Sequence, residues 1–335
     1  MIPRRTALLL AAVVAGGAVR YWRWRKGGPE RSATVKHARK LMGTLWTVEI
    51  AHHGRTDEAR AAIERAMIEI DRIESLMSEW IADSPVSRIN RAAGVEAVEV
   101  PEELARIIRR ALEYGERTGG AFDISWRGMS GVWRFDEEFK VPDAKAVEAA
   151  RRNVDYRAVR VEGNRVRLER KGMAIGLGGI AKGYAVDRAA AVLREAGFTD
   201  TLVAGAGDMF ASGTKDGRPW RLGVQDPRGE RGVMLGTVEL SDRAISTSGD
   251  YERFRIAGGV RYHHIIDPRT GWPARECQSA TVAARSAEET DVLATAIFVL
   301  GPVKGLELAL KSGADTLIVG ATGKRLATGI FAPLQ

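Results

Sequence analysis

Cysteine is almost absent from this chain of 335 residues, since Cys277 is the only one. A single thiol excludes an internal disulfide and any metal site built from several cysteines. A catalytic role for Cys277 is conceivable, but a partly buried packing residue is the simpler interpretation. Histidine is also scarce, and the five histidines show no His-x-x-x-His spacing of the kind that binds zinc. The sequence therefore favours neither a disulfide scaffold nor a metal centre made of cysteine or histidine.

Most of the chain lacks a charge excess, although the formal net charge is +8. Residues 1–40 hold ten lysines and arginines against one acid, Glu30, so the remaining residues are close to neutral. Nucleic-acid-binding domains carry an excess of basic residues on their folded surface. The residues after position 40 have no such excess. We expect no nucleic-acid partner.

The N-terminal residues have the pattern of an export signal. Arg4 and Arg5 directly precede an uncharged run over residues 6–19, which is short for a membrane span and typical of the twin-arginine route. The basic, tryptophan-bearing residues 20–26 can instead anchor an uncleaved segment at the inner membrane. No cysteine follows the run to carry a lipid. We interpret residues 1–34 as a signal or signal-anchor and residues 35–335 as a domain that faces the periplasm.

Apolar periodicity predicts helices first and strands later in the chain. The predicted helices cover 57–78, 103–118, about 182 to Gly197, a segment around Asp291, and about 302–312. The predicted strands cover 44–52, about 156–169, 201–205, 219–225, 234–240, 261–266, 279–285, 316–320 and 325–332. No repeat or linker divides this body. The pattern favours a single α+β domain over a regular βαβ array.

Two short segments carry chemistry that belongs together. Asp291 and Thr295 lie four residues apart in a helix-forming stretch, so a carboxylate and a hydroxyl share one face and offer oxygen ligands for Mg²⁺ or Ca²⁺. Residues 178–183 combine glycines with Lys182, which suits a pyrophosphate near a helix N-terminus. Each segment also has a plain interpretation, as a tight turn or as a helix start. We infer a metal beside a nucleotide diphosphate from the combination.

Other polar segments are less specific. His263 and His264 precede an Asp-Pro-Arg-Thr-Gly turn, where one imidazole can act as a general base and the other can simply face solvent. Residues 204–209 read as a glycine turn, and residues 246–251 concentrate hydroxyls as turns often do.

Taken together, the motifs identify a family resemblance. Six segments in order, 42–44, 120–123, 177–185, 246–251, 264–271 and 291–295, resemble the FAD:protein FMN transferases of the ApbE family over roughly residues 35–330. The resemblance implies a single T-fold-like α+β domain that binds FAD and Mg²⁺. It implies an exported enzyme that moves FMN from FAD onto a threonine or serine of an acceptor protein and releases AMP, with a subunit of a membrane redox complex as the expected acceptor.

The same resemblance assigns site residues. It implies that Mg²⁺ is held by the side chains of Asp291 and Thr295 and by the backbone oxygens of Gly179 and Ala294. The implied catalytic residues are His264, as the base for the acceptor hydroxyl, and Lys182, which adds a positive charge at the phosphates. The implied flavin contacts are Met42, Trp80, Ala121, Phe122, Asp123, Lys182 and Ile265.

The chain departs from the family pattern at four positions. Gly176 stands where the family usually has aspartate, and Ala204 and Ala206 replace an asparagine and a glycine of the second glycine turn. Trp80 replaces a tyrosine but keeps an aromatic face. These changes leave two alternatives open: an exported FAD carrier without transfer activity, and a pyrophosphatase that splits FAD into FMN and AMP.

Overall fold

The computed structural model describes residues 32–335, which form an antiparallel sheet with helices on one face. The helices are α1 (Thr56–Met77), α2 (Pro85–Arg91), α3 (Glu102–Arg117), α4 (Ala144–Arg151), α5 (Ala181–Glu195) and α6 (Ala287–Lys311). The strands are β1 (Ala33–Leu41), β2 (Thr44–His52), β3 (Val98–Glu99), β4 (Val159–Glu162), β5 (Arg165–Leu168), β6 (Thr201–Gly205), β7 (Asp208–Ser212), β8 (Trp220–Gln225), β9 (Met234–Leu240), β10 (Arg243–Gly249), β11 (Phe254–Ala257), β12 (Val260–His263), β13 (Cys277–Ala284), β14 (Asp315–Gly320) and β15 (Arg325–Ala327). The leader predicted over residues 1–34 lies outside the described residues except for its last three.

The main sheet has eight strands in the order β1-β2-β6-β7-β10-β13-β14-β15, and every neighbouring pair is antiparallel. Successive side chains point to opposite faces, so each strand contributes to two layers of core. Ala244 joins the core beneath α1 and α5, whereas its neighbour Ile245 joins a core on the other face. The hairpin β8–β9 and a 3-10 helix (Gly329–Leu334) cover that second face.

Three long helices pack on the first face. α1 buries one stripe that includes Ile63, Met67, Ile70 and Ile73, and it lies against α5, while α6 lies against α5 and the strands β10 and β13. By length and composition α6 could cross a membrane, but Ile297 and Phe298 are fully buried within the sheet-facing core. We therefore describe α6 as a core helix, whose break at Gly301 (φ 80°) precedes Pro302.

The structure confirms the α+β class and corrects several segment boundaries. Strands β2, β6 and β9 and helix α1 lie where they were predicted, within a residue at each end. The single strand predicted over 156–169 is a hairpin, β4–β5, turned at Gly163 (φ 57°). The strand predicted over 261–266 ends at His263, and the one over 325–332 ends at Ala327, where the 3-10 helix follows. The helix predicted near 302–312 is the second part of α6.

Candidate active site

The candidate site lies where the N-terminus of α5 meets the first turns of α6. Gly183 makes this approach possible, because a Cβ there would lie 2.1 Å from the carbonyl oxygen of Ala287. The amide of Gly183 donates a hydrogen bond of 3.1 Å to Oδ2 of Asp291. Asp187 accepts hydrogen bonds from the amides of Ala287 and Glu288, which fixes the start of α6 on α5. The two predicted motifs are therefore brought together by direct helix contact.

Lys182 lies between two buried carboxylates. Its Nζ donates to Oδ2 of Asp208 at 2.6 Å and lies 3.3 Å from both oxygens of Asp291. Asp208 and Asp291 are 3% and 4% exposed, so their charges have little access to water. Lys182 thus forms salt bridges within the protein, and the predicted contact to a pyrophosphate would have to be made from this position.

The electrostatics of this cluster are unbalanced. Burial raises the pKa of Asp291 to about 7, the Asp208 carboxylate adds to the effect, and the Lys182 ammonium opposes it. For Lys182, burial works against the charge, but the two carboxylates outweigh burial and raise its pKa. Two buried carboxylates share one ammonium, so the deprotonated cluster has a net negative charge. A further positive charge bound there would lower the free energy of the site.

Thr295 lies one helical turn beyond Asp291 and faces β10. Its Oγ1 is 3.3 Å from Oγ of Ser248, the last of three hydroxyl pairs along β10. The other two pairs are Ser246 with Thr290 at 2.7 Å and Thr247 with Thr281 at 2.9 Å. Residues 246–249 are therefore a strand in the centre of the sheet and were wrongly read as turn-like.

Gly179 lies beside Thr295, as its predicted role requires. A Cβ at Gly179 would lie 3.7 Å from Oγ1 of Thr295 and 3.0 Å from the ring of Phe122. Phe122 thus packs against the glycine run, and Ala294 is buried on α6 between Asp291 and Thr295. Carboxylate, hydroxyl and backbone carbonyl oxygens are hard ligands, so the donor set fits Mg²⁺. Among residues 32–335, no group of three histidine, cysteine or acidic residues forms a more obvious metal centre.

The two histidines have different environments, and these decide which one can act as a base. His263 is 2% exposed, its Nε2 lies 2.6 Å from the carbonyl oxygen of Ala274, and its Nδ1 accepts from the amide of Ile265. Both of its nitrogens are used, and it does not face solvent as the sequence allowed. Nδ1 of His264 lies 3.3 Å from the carbonyl oxygen of Arg253. Since a carbonyl only accepts, Nδ1 carries the proton and Nε2 keeps a lone pair.

Burial lowers the pKa of His264 to about 4, with smaller contributions from His263 and from the Lys182 ammonium. At neutral pH the ring is therefore neutral, which is the state a general base needs.

The predicted flavin residues divide into exposed and internal ones. Trp80 is 72% exposed, and the guanidinium of Arg127 lies 4.1 Å from the centre of its ring. Met42 adopts a positive φ of 48° in the β1–β2 turn, and its amide donates to Glu74 at 2.6 Å. These two residues lie near the C-terminal end of α1, on a surface that a ligand can reach.

Residues 121–123 and Ile265 lie deeper. The carboxylate of Asp123 accepts from the amide and hydroxyl of Ser125 and from the amide of Tyr156, so its side chain is committed to a 3-10 helix cap. Ala121 and Ile265 are 1% and 8% exposed and pack in the core beneath α6. These residues can therefore contact a ligand with their backbone groups and with the shape of the surface they form, and they offer few free polar side-chain groups.

Two residues near this site were missed at the sequence level. Asp208 lies within residues 204–209, which read as an ordinary glycine turn, and only the β6–β7 pairing brings it to Lys182. Glu79 precedes Trp80 and lies against Gly176, and no motif marked it. The available signal for Asp208 was a carboxylate at the start of a strand that directly follows a glycine turn.

Comparisons with known proteins identify the family of the chain. The ApbE family profile matches residues 42–318. The FAD:protein FMN transferase of Treponema pallidum (strain Nichols) is 33% identical over 88% of this chain and 86% of the relative. The protein of the same name from Klebsiella pneumoniae (strain 342) is 31% identical over 97% and 94%.

Solved structures give the same result. The crystal structure of the ApbE protein from Thermotoga maritima matches with a TM-score of 0.83 and 34% identity, covering 90% of this chain and 99% of that one. The flavin transferase ApbE from Vibrio cholerae matches with a TM-score of 0.79 and 29% identity, covering 90% and 99%. The profile spans most of the chain, and relatives and structures match over nearly their whole length, so the chain belongs to the ApbE family.

Proposed function

We propose that this ApbE-family enzyme transfers FMN from FAD onto a threonine or serine hydroxyl of an acceptor protein, in a Mg²⁺-dependent reaction that releases AMP. The observation that carries the proposal is the cluster of Lys182, Asp208 and Asp291 at the N-terminus of α5. The relatives of this chain carry the name FAD:protein FMN transferase, and that name supports FAD as the substrate and transfer of FMN as the reaction.

The charged cluster suits a pyrophosphate and a divalent cation. The side chains of Asp291 and Thr295 and the backbone oxygens of Gly179 and Ala294 would hold Mg²⁺, which neutralises phosphate charge and stabilises a departing phosphate group. Lys182 lies at the same place and adds a point charge. Positioning and electrostatics of this kind account for most of the rate in phosphoryl transfer.

Transfer requires one proton to leave the acceptor hydroxyl. The hydroxyl oxygen forms a bond to the phosphorus of the FMN half, and the bond from that phosphorus to the bridging oxygen breaks, so AMP departs with the bridging oxygen. Nε2 of His264 is the free basic nitrogen that accepts the hydroxyl proton, since Nδ1 is held by Arg253. The pKa of about 4 keeps His264 neutral at neutral pH, so Nε2 is free to accept a proton, as a weaker base than a free imidazole.

The flavin ring is proposed to lie at the end of α1, where Trp80 offers an exposed aromatic face. The leader pattern in residues 1–34 supports a periplasmic location, with or without attachment to the inner membrane. That location favours a membrane redox subunit as acceptor.

The test uses the purified full-length protein with FAD, Mg²⁺ and an acceptor protein that carries a flavinylated threonine in its natural state. Flavin fluorescence on the acceptor in a denaturing gel and AMP release by chromatography are measured together. We expect both signals, and chelation of the metal should remove both. AMP without labelled acceptor would indicate a pyrophosphatase, whereas bound FAD with neither signal would indicate a carrier and contradict the proposal.

A further inference from the structure

Gly176 lies in a closely packed part of the site. The side chain of Asn90 binds both backbone groups of Ile175, the residue before Gly176. Oδ1 of Asn90 accepts from the amide of Ile175, and Nδ2 donates to its carbonyl oxygen. The amide of Gly176 donates to Ile124 at 2.8 Å. The backbone of Gly176 is therefore fixed, and whatever surrounds it is placed with little freedom.

The space that a side chain at Gly176 would take is bordered by a carboxylate. A Cβ on Gly176 would lie 3.0 Å from Oε1 of Glu79, 3.3 Å from Cβ of Arg127 and 3.4 Å from the ring of Trp126. The carboxylate that position 176 itself does not carry is thus supplied beside it from another segment. The two residues are spatial alternatives for one negative charge.

Glu79 carries its carboxylate at a position that disfavours the charge. It lies two residues beyond the end of α1, where a negative charge is disfavoured by the helix dipole. Burial raises its pKa, and the amides of Glu79 and Leu177 and the charge of Arg127 do not offset that effect. A carboxylate held at a cost in the folded protein is typical of a binding site.

The surroundings of Glu79 suit a planar ring. Trp80 follows it directly and is exposed, with Arg127 stacked on one face of the indole. Gly179, beside Thr295, lies three residues further along the chain than Gly176, so the two places are at most roughly 10 Å apart. A five-carbon arm between a pyrophosphate and a ring can span a distance within this limit.

We propose that Glu79 accepts a hydrogen bond from the single N–H of the oxidised isoalloxazine ring, and that Gly176 leaves the space that places Glu79 there. This inference rests on the proposed function, because it assigns the flavin end of the same site. Glu79 is then a residue that determines flavin affinity and orientation, and it replaces a carboxylate at position 176.

The test measures riboflavin affinity by fluorescence quenching and AMP affinity by calorimetry in Glu79→Ala, Gly176→Asp and the double variant. We expect Glu79→Ala to weaken riboflavin binding about tenfold or more, because a hydrogen bond to a charged acceptor is lost. AMP affinity should stay within twofold. Gly176→Asp alone should also weaken riboflavin, since its Cβ meets the Glu79 carboxylate, whereas the double variant should recover most of the affinity.

Two further measurements separate binding from a merely structural role. Riboflavin methylated on its ring N–H should bind to the wild type about as weakly as riboflavin binds to Glu79→Ala. The melting temperature of ligand-free Glu79→Ala should equal or exceed that of wild type, and Glu64→Ala, an exposed residue of α1 paired with Arg39, serves as the control. A lower melting temperature with parallel losses of riboflavin and AMP would overturn the inference.

The inference and the proposed function fail in different ways. If the wild type labels an acceptor and all variants bind riboflavin equally, the role of Glu79 is wrong and the transferase stands. If the wild type binds neither FAD nor riboflavin, the proposed function fails and the inference fails with it.

Discussion

Asp291, the proposed metal ligand, carries a charge that burial disfavours. Its pKa of about 7 lies above that of a free aspartate, so the native state binds more protons than the unfolded state between about pH 4 and pH 7. The free energy of unfolding contributed by Asp291 therefore decreases as pH rises through this interval. A metal that binds only the deprotonated side chain would compensate for this loss.

We predict that Asp291→Asn keeps the fold, is at least as stable as wild type at pH 8 without metal, and loses transfer activity about 100-fold or more. The amide keeps the shape but removes one of two buried carboxylates. Urea unfolding at pH 5 and pH 8, with and without Mg²⁺, measures the first effect, and AMP release measures the second. Asp57→Asn, in the exposed first turn of α1, is the control. Stabilisation by Mg²⁺ equal to that of wild type would refute the metal assignment.

His264 gives a prediction of the opposite sign. Its pKa of about 4 lies below the usual value, so between about pH 6.5 and pH 4 the unfolded chain binds a proton that the native ring does not. Stability is therefore lost as pH falls through this interval, by at most about 1.4 kcal/mol per pH unit from this residue. We expect a shallower acid loss in His264→Gln than in wild type, measured by urea unfolding from pH 7 to pH 4.5. Identical slopes would show that the ring is not shielded from solvent protons.

Among individual residues, the sequence predicted those that stand in a recognisable short motif. Asp291 and Thr295 share a helix face, and Lys182 follows a glycine run, so local spacing was sufficient. Asp208 was not found, because its role depends on the β6–β7 pairing. Glu79 was not found for a similar reason, since only the packing of Gly176 reveals its place.

At the level of secondary structure, the contact between α5 and α6 positions the charged cluster, and Gly183 is the residue that permits it. In an ordinary helix interior, glycine to alanine stabilises by about 1 kcal/mol. Here the new Cβ would lie 2.1 Å from the Ala287 carbonyl and 2.9 Å from Cβ of Asp291.

We predict that Gly183→Ala instead destabilises the protein by about 1–3 kcal/mol and lowers transfer activity, because α6 must move away with Asp291. Urea unfolding gives the first quantity. Gly178→Ala is the matched control for stability, since a Cβ at Gly178 meets nothing within 4 Å. A stabilised Gly183→Ala would mean that the two helices do not approach as closely as the structure has them.

The strands show where sequence patterns stop being informative. β6 and β9 were located because they alternate or carry apolar residues. β1 was missed because it is an edge strand with mostly exposed side chains, including Lys36 and Lys40. β10 was missed because its hydroxyls pair with hydroxyls of α6 and β13, so a strand in the middle of the sheet has the composition of a turn.

For the whole molecule, fold class followed from the order of helical and strand patterns, and family membership followed from six motifs in order. Neither the order of patterns nor the motifs predicted which segments cover each face of the sheet. The hairpin β8–β9 and the last 3-10 helix cover the second face of the sheet through residues such as Trp220 and Phe331, which lie far apart in sequence. Periodicity within one segment carries no information on which face of a sheet that segment covers.

The distribution of charge over the whole chain leads to a last prediction. The body is close to neutral and the basic residues lie mainly in residues 1–40, so the leader is proposed to direct export by the pair Arg4 and Arg5. We predict that changing both to lysine prevents most of the export, although charge and hydrophobicity are unchanged, because the twin-arginine route recognises the arginines themselves. Fractionation of cells into cytoplasm and periplasm, with the protein detected by an antibody, measures the effect. The same change at Arg20 and Arg23 should leave export intact. Normal export of the Arg4→Lys/Arg5→Lys variant would mean that the apolar run alone is recognised, as in the general secretory route.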